Sequence, residues 1–343
     1  MDLLIVNAGS SSLKLRVLAP DDEVKDERAI SDWDGSADAL SELEAEAVVH
    51  RVMHGGSRFG GAVIVDDEVE AAIEELVPLA PLHQPHALSL IRASRRDDRP
   101  VVACFDTSYH RTIPDAAATY ALPLEWRARF GLRKFGFHGL SHEYVARTVS
   151  ARRIVSCHLG AGASLCAIDG GRSVDTTMGF TPLDGLVMAT RSGSVDPGLL
   201  LWLQTNGGLT AEELGDALEH RSGLRGLTDK IGDLAEIVEA SDQAANRLAY
   251  DVYIHRLTGE IARMVAALGG LDALVFTGGV GEHSAPVRAA TCRALAWLGL
   301  VLDAKSNETA EPVITAPDSP VTAYVLPARE DLAMAAQARR LLE

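Results

Sequence analysis

One order of elements occurs twice in the sequence, and it restricts the fold more than any other feature. Residues 3–6 form an apolar run typical of a buried strand, and the small polar residues 7–12 separate it from a second strand with alternating apolar positions. Residues 154–157 and 158–164 repeat this order near the middle of the chain. A period of two predicts strands, and the polar stretches predict the turns of two hairpins. Two hairpins of one design indicate a duplicated domain that mixes strands and helices.

The chain length favours two domains. A single hydrophobic core stops growing at about 250–300 residues, and this chain has 343 residues. The pattern predicts a boundary near residues 148–153 and a cleft between the domains. The further predicted elements are strands at 63–65, 101–105 and 274–276, helices at 68–79 and 242–268, a glycine-rich turn at 277–284 and a helix opening near Pro286.

Charge and composition exclude several classes of protein. The formal net charge is −16, so a nucleic acid or an anionic membrane would be repelled over most of the surface. No apolar run reaches the roughly 20 residues that span a bilayer, and no charged leader precedes the first strand. We therefore expect a cytoplasmic protein. The four cysteines lack a C-x-x-C spacing and are predicted to be buried free thiols rather than a zinc site or disulfides.

Three loops rich in glycine and serine each follow a predicted buried strand. They lie at residues 7–12, 158–164 and 277–284. Small residues let several backbone N–H groups approach one phosphate, so three such loops favour a polyphosphate site over plain turns. Lys14 alternates with Ser12 and should leave the hairpin on the same side. It could also be an ordinary solvated strand residue.

Two arginines lie in segments where solvation is difficult. Arg51 is in an apolar strand that ends in glycines, and Arg191 precedes an Asp-Pro turn. Together they could clamp a carboxylate and a phosphoryl oxygen, because the planar guanidinium suits both. Either could instead form a structural ion pair with an acid. Asp106 ends a buried strand, where a carboxylate serves a functional site or caps the next turn.

Two histidines surround the start of a predicted helix. His138 and His142 flank Ser141, which is the predicted N-cap. Imidazoles at this position could face an anion, although a buried and satisfied histidine is the ordinary outcome. The pattern leaves both interpretations open.

With these motifs assembled, the chain resembles the acetate kinase family, in the superfamily that also contains sugar kinases and actin. The resemblance covers nearly the whole chain, and its most specific string is Met178-Gly-Phe-Thr-Pro-Leu183 followed by Thr190-Arg191. It implies an α/β fold of two actin-like domains, at 1–150 and 151–327, with a C-terminal helix at about 328–343 packing back onto the first. It also implies a homodimer that transfers a phosphoryl group between ATP and acetate, giving ADP and acetyl phosphate, with Mg²⁺ or Mn²⁺.

The resemblance assigns roles residue by residue. Arg51 and Arg191 would hold the acetate carboxylate and the transferring phosphoryl group, and His138 would contact an equatorial oxygen. Asp106 would position the substrate, and Asn7 and Glu330 the metal ion. The phosphate and nucleotide contacts would be Asn7, Ser10, Ser12, Lys14, His158, Gly160, Gly162, Gly278, Gly279, Gly281 and Glu282. The acyl pocket would comprise Met53, Leu82, Phe137 and Pro182.

Some positions depart from the family pattern. Ala161 replaces a usual asparagine, and the segment that helps to hold adenosine is shortened near residues 230–233. Pyrophosphate could therefore replace ATP as the donor. Met53 replaces a usual valine and should shrink the pocket, which favours acetate over propionate. A propionate or butyrate kinase also fits the motifs, as does an actin-like nucleotide-binding sensor without transferase activity. A sugar kinase would need a hydroxyl-activating base and a larger polar pocket.

Overall fold

The computed structural model describes residues 1–9, 12–33, 35–40, 43–81, 83–96, 98–228 and 231–343. The described chain divides into two compact units. The first unit contains residues 1–111, 137–144 and 329–343, and the second contains residues 112–136 and 145–328. Residues 112–136 thus group with the second unit although they precede the boundary that the sequence suggests.

Eleven strands and fourteen α-helices are found among the described residues. The strands are β1 (Leu3–Ala8), β2 (Ser12–Leu18), β3 (Val24–Ser31), β4 (Ala47–Val52), β5 (Val63–Ile64), β6 (Val101–Phe105), β7 (Arg153–Leu159), β8 (Ala163–Asp169), β9 (Arg172–Thr176), β10 (Ala273–Thr277) and β11 (Thr322–Val325). The helices are α1 (Asp67–Glu75), α2 (Gln84–Ser94), α3 (Asp115–Ala118), α4 (Leu124–Phe130), α5 (Gly139–Thr148), α6 (Pro197–Thr205), α7 (Ala211–His220), α8 (Gly223–Thr228), α9 (Leu234–Glu239), α10 (Ala244–Leu268), α11 (Gly278–His283), α12 (Ala285–Ala294), α13 (Ala304–Glu308) and α14 (Glu330–Leu342).

The first unit contains a six-stranded sheet with the order β3-β2-β1-β4-β6-β5. The three strands β1, β2 and β3 form an antiparallel meander. Strands β1, β4 and β6 run parallel to one another, and the short β5 closes the edge in the antiparallel sense. The carboxyl ends of three parallel strands therefore lie along one edge of this sheet, the usual location of functional groups in open α/β sheets.

The second unit repeats this plan. Its five-stranded sheet has the order β9-β8-β7-β10-β11, with an antiparallel meander and two parallel strands beside it. Each strand thus has a counterpart of the same direction in the first sheet. The predicted α/β class and the duplicated hairpin are confirmed.

Apolar side chains cover both faces of the first sheet. On one face Ile5 and Val49 pack in a cluster with Met334 of α14. On the other face Phe105 packs in a cluster with Ile73 of α1 and other side chains of α1 and α2. This burial on two sides explains why the parallel strands read as continuous apolar runs.

In the second unit the long helix α10 covers the sheet. Its residues Leu257, Ile261 and Met264 are at most 1 % exposed, and their spacing is that of one helical face. The helix ends where Gly269 adopts a left-handed backbone with φ 66°, as expected of a glycine after the last turn. No helix of the described residues is long and apolar enough to cross a membrane.

Two local predictions are wrong. Ser141 is not an N-cap, because α5 begins at Gly139, whose N–H donates to Asp106 O at 2.9 Å. Residues 278–283 form the short helix α11 rather than an open turn. The start of α5 is fixed by a partner distant in sequence, whereas α11 is fixed by the Glu282 carboxylate of its own segment. The prediction for the cysteines is confirmed, since all four are free and buried.

Candidate active site

Arg51 and Asp106 form an ion pair at the edge of the first sheet. Arg51 lies near the end of β4, and Asp106 follows the last residue of the neighbouring β6. Two nitrogens of the guanidinium donate to the carboxylate, and Arg51 Nε lies 3.0 Å from Asp106 Oδ1. The carboxylate is fully buried, and the arginine side chain is 13 % exposed. Arg51 thus forms an ion pair, and the pair sits where the sequence predicts a functional site.

Burial and charge oppose each other in this pair. Burial raises the pKa of the Asp106 carboxyl, and the adjacent Arg51 guanidinium counteracts that rise. Burial alone would lower the pKa of Arg51, but the Asp106 and Glu330 carboxylates raise it above its ordinary value. Arg51 is therefore a permanent cation.

Asn7 links the ion pair to Glu330. Its Oδ1 accepts a hydrogen bond from Arg51 Nη1 at 3.0 Å, and its Nδ2 donates to Glu330 Oε2 at 3.0 Å. Asn7 lies in β1, and Glu330 is the first residue of α14. Four predicted site residues thus form one continuous chain of side chains, Asp106–Arg51–Asn7–Glu330, which we call the Arg51 network.

His138 has an unusual backbone in the segment next to this network. Its φ is 55°, in the left-handed region, which costs a non-glycine residue about 1–2 kcal/mol. A Cβ on the following Gly139 would lie 2.1 Å from Asp106 O, so no other residue fits there. Outliers of this kind concentrate at functional sites. The contact explains why the segment with His138 is held against the end of β6.

Two of the four predicted acyl-pocket residues, Met53 and Phe137, lie in the first unit. Phe137 is 1 % exposed and meets the His54 ring edge-on, with ring centroids 5.6 Å apart. Met53 is half-buried at the end of β4 in the same unit, whereas Pro182 belongs to the second unit. Leu82 lies outside the described residues.

The turn of the first hairpin is closed by its backbone. Gly9 N–H donates to Ser12 O at 2.7 Å. Ser12 and Lys14 are exposed on the same side of β2, as the alternation predicts, and Lys14 pairs with Asn7 in the strand register. Ser10 lies outside the described residues.

The second hairpin has a similar turn. Gly160 N–H donates to Gly162 O at 3.1 Å. His158 precedes this turn in β7 and pairs in register with Thr277 of β10, directly before Gly278. Two of the three predicted phosphate loops therefore lie side by side in the second unit.

Helix α11 is fixed by its own carboxylate. Glu282 Oε1 accepts hydrogen bonds from Gly278 N–H at 3.0 Å and from Ala328 N–H at 2.9 Å. Gly278 has φ 77°, and a Cβ there would lie 2.7 Å from Leu159 O. The Glu282 carboxylate thus organises the loop through the protein backbone.

A buried arginine holds the other end of α11. Arg288 is 1 % exposed and donates to the carbonyl oxygens of Gly281 at 2.9 Å and Glu282 at 2.8 Å. Its remaining bonds go to Asn307, and burial lowers the pKa of Arg288. A Cβ on Gly279 would meet nothing within 4 Å, so that position is open to a ligand's approach.

Arg191 is held by one acid in the second unit. Its Nε donates to Glu219 Oε2 of α7 at 2.9 Å. The Asp-Pro turn that follows forms the start of α6, where Asp196 caps the helix by accepting from Gly198 N–H. Sequence reasoning missed Glu219 and Arg288. Glu219 stands in a charged surface helix without a local signal, while Arg288 could have been noticed as a cation on the apolar face of α12.

Comparisons with known proteins agree on one family. Residues 35–336 match the model of the acetokinase family. An acetate kinase of Nostoc sp. is 47 % identical over 325 residues, which cover 90 % of this chain and 80 % of that protein. The crystal structure of Porphyromonas gingivalis acetate kinase superimposes with a TM-score of 0.92 at 33 % identity, covering 100 % of both chains. A propionate kinase from Francisella tularensis gives 0.91 at 32 % identity over 99 % of both chains. The chain belongs to the acetokinase family.

Proposed function

We propose that this protein is an acetate kinase that transfers a phosphoryl group between ATP and acetate, giving ADP and acetyl phosphate. The observation that carries the proposal is the Arg51 network, in which a guanidinium and the Glu330 carboxylate are linked through Asn7. Transfer between two anions requires a cation for the reacting oxygens and a carboxylate for the metal ion that accompanies the phosphates. Membership of the acetokinase family supports this interpretation.

The proposed mechanism is direct in-line attack of the acetate carboxylate on the terminal phosphoryl group. The carboxylate is already ionised at neutral pH, so the protein needs no general base. Arg51 and Arg191 would neutralise the carboxylate and the phosphoryl oxygens, His138 would donate to an equatorial oxygen, and Asp106 would orient Arg51. The protein contributes mainly position and charge.

The residues of the Arg51 network fit Mg²⁺ or Mn²⁺. Mg²⁺ is usually held by one or two carboxylates together with substrate phosphates, rather than by a cage of protein ligands. Glu330 supplies one carboxylate, and the Asn7 amide oxygen, which accepts from Arg51 in this arrangement, would have to turn towards the ion. No group of three or more acidic, histidine or cysteine ligands is found in the described part of the chain. A bound ion would neutralise phosphate charge during transfer.

We assign the three loops to the phosphates and the nucleotide. The residues involved would be Ser10, Ser12, Lys14, His158, Gly160, Gly162, Gly278, Gly279, Gly281 and Glu282. The open space at Gly279 supports this assignment. Because Ala161 offers no side-chain hydrogen bond, pyrophosphate remains a second candidate donor.

A propionate kinase is the second candidate function. The Francisella tularensis propionate kinase is as similar in structure as the acetate kinases are. Met53 argues for acetate, because a longer side chain than valine reduces the space for a further methylene group. We expect a higher kcat/KM for acetate than for propionate, and Met53→Val should narrow the difference.

One panel of assays tests both proposals. Hydroxamate detection of acyl phosphate is run with acetate, propionate and butyrate, each with ATP, GTP and pyrophosphate. Activity with ATP and acetate, lost on chelation of divalent metal and restored by Mg²⁺, supports the proposal. Absence of acyl phosphate with every pair would favour the nucleotide-binding sensor, and a clear preference for propionate would refute the assignment of acetate.

We also propose a homodimer in the cytoplasm. The support for the dimer is α6, whose sequence PGLLLWLQT includes no buried residue and leaves Leu199, Leu201 and Trp202 about half exposed. Exposed apolar patches of this kind mark interfaces. Light scattering of the purified protein should give twice the monomer mass, and Trp202→Glu should reduce it towards the monomer.

A further inference from the structure

Within the described part of the chain, one ion pair holds the Arg191 side chain. Its Nε donates to Glu219 Oε2 at 2.9 Å, and the two side chains are 22 % and 25 % exposed. No other hydrogen bond of this guanidinium is found among the described residues. Nη1 and Nη2, which carry four of the five N–H donors, are therefore available to a ligand.

The backbone around Arg191 is fixed independently of this ion pair. Thr190 Oγ1 donates to the carbonyl oxygen of Glu219 at 2.7 Å, and Ser192 N–H donates to Leu218 O at 3.1 Å. Both bonds involve main-chain oxygens of α7. A change of the Glu219 side chain would leave them in place.

Close packing at Gly223 fixes the same segment a second time. Gly223 has φ 61°, and a Cβ there would lie 2.2 Å from Met188 O and 2.6 Å from Arg191 O. The chain after α7 thus lies directly against the backbone that carries Arg191. The Glu219 carboxylate is therefore not needed to fix this backbone, and its contact with Arg191 affects only the orientation of the guanidinium.

We infer that Glu219 is a positioning residue that holds Arg191 Nε so that both Nη groups are presented to the phosphoryl group during transfer. A free arginine side chain samples many rotamers, and anchoring Nε reduces that freedom before the substrate arrives. The inference rests on the proposed function, because it assigns Glu219 a role only through the catalytic use of Arg191.

Glu219 also reduces the charge that Arg191 offers. A carboxylate at 2.9 Å partly neutralises the guanidinium, which weakens the attraction of an anion while it fixes the geometry. The two effects can be separated. Glu219→Gln keeps an oxygen that accepts from Nε but removes the negative charge, whereas Glu219→Ala removes both.

A purely structural role for the pair predicts a different outcome. Partly exposed ion pairs contribute little to stability, so a purely structural pair predicts an unchanged kcat and a shift in Tm of at most about 2–4 °C for either substitution. The positioning role predicts a loss of kcat without a matching loss of stability. The structural and the positioning role therefore differ in how large the loss of kcat is compared with the loss of stability.

The test compares kcat, KM and Tm for Glu219→Ala, Glu219→Gln and a control. Glu212→Ala is the matched control, because Glu212 is an exposed acid of the same helix with no ion pair among the described residues. We expect Glu219→Ala to lower kcat by about 10-fold or more, since a poorly placed catalytic group loses at least that much. Glu219→Gln should keep kcat within about 3-fold and leave KM for acetyl phosphate equal or lower, and the control should match the wild type.

A double-mutant cycle isolates the route through Arg191. In an Arg191→Ala background, Glu219→Ala should change the residual kcat by less than about 2-fold, because the group that it positions is gone. Any of three results would overturn the inference. Glu219→Ala could keep the wild-type kcat, Glu219→Ala and Glu219→Gln could lower kcat equally, or the losses of kcat from Glu219→Ala and Arg191→Ala could be fully additive. If the wild-type protein makes no acyl phosphate, the proposed function falls as well. If the wild type is active and Arg191→Ala is inactive, but Glu219→Ala has normal activity, the inference is overturned and the proposed function stands.

Discussion

Arg51 and Arg191 are the two arginines that we place in catalysis, one in each unit, and they are held in opposite ways. Arg51 uses three nitrogens of its guanidinium within the protein and is paired with a fully buried carboxylate. Arg191 uses one nitrogen towards the residues that the structure describes, and it is paired with a partly exposed carboxylate. The first arginine neutralises a buried charge as well as serving the substrate. Arg191 keeps its Nη1 and Nη2 donors for a ligand.

The difference shows that an arginine of the site can have a structural role as well as a catalytic one, or a catalytic role only. Removing one partner of a buried ion pair leaves the other as an unpaired buried charge. Removing a partly exposed arginine abolishes its contribution to catalysis but changes the stability of the fold little. Stability should therefore distinguish the two arginines although activity does not.

The largest expected effect is that of Arg51→Ala. It should lower kcat by about 10³-fold or more, and it should destabilise the protein by about 3–5 kcal/mol because Asp106 loses its partner. Arg51→Lys is the control that retains the charge, and it should recover much of the stability but little of the activity. Steady-state kinetics and urea unfolding measure both quantities, and an unchanged unfolding free energy in Arg51→Ala would break the comparison.

Arg191→Ala should match that loss of activity without the loss of stability. We expect kcat to fall by about 10³-fold, since an arginine that stabilises a phosphoryl transition state contributes on this scale. The partly exposed ion pair with Glu219 contributes at most about 1 kcal/mol to folding. Thermal unfolding of the same preparations provides the check, and a large fall in Tm would mean that Arg191 is structural.

Arg288 extends the comparison to an arginine for which the described residues provide no acidic partner. Its hydrogen-bonded partners include the carbonyl oxygens of Gly281 and Glu282, so Arg288→Met should leave buried acceptors unsatisfied at a cost of about 1–3 kcal/mol. Because these carbonyls belong to α11, KM for the nucleotide should rise more than kcat falls. Isothermal titration with ADP would test this, and unchanged affinity would separate α11 from nucleotide binding.

The smallest expected effect is a dependence of stability on pH in the first unit. Burial lowers the pKa of His50 to about 3 and that of His54 to about 4, from an ordinary value of 6.5. Between these values the unfolded chain binds more protons than the folded chain, so stability falls as the pH drops below about 6.5. Each histidine contributes up to about 1.4 kcal/mol per pH unit. His50→Asn should reduce the slope of unfolding free energy between pH 5 and 6.5 by nearly one proton, and an unchanged slope would exclude His50 as its source.

The sequence predicts elements well where a local pattern decides them. The two hairpins and the long helix α10 follow from the periods of their apolar residues, and α10 ends at Leu268 as predicted. The start of α5 could not be predicted in this way. It depends on the approach of Gly139 to Asp106 O, a contact between residues 33 apart along the chain.

The site shows the same division. Residue types and turns indicate that Arg51 and Asp106 are functional candidates, but their pairing follows from the register of β4 against β6. Glu219 carries no sequence signal, because an acid in a charged surface helix is ordinary. Its role becomes visible only when the end of α7 is found against Arg191.

The central claim is that both arginines serve one phosphoryl transfer while only Arg51 also stabilises the fold. The most direct measurement is ³¹P NMR of acetyl phosphate formation by the wild type, Arg51→Ala and Arg191→Ala, with Tm recorded on the same samples. We predict rapid formation by the wild type, none on the same timescale by either variant, and a lowered Tm only for Arg51→Ala. Formation at the wild-type rate by either variant would contradict the account.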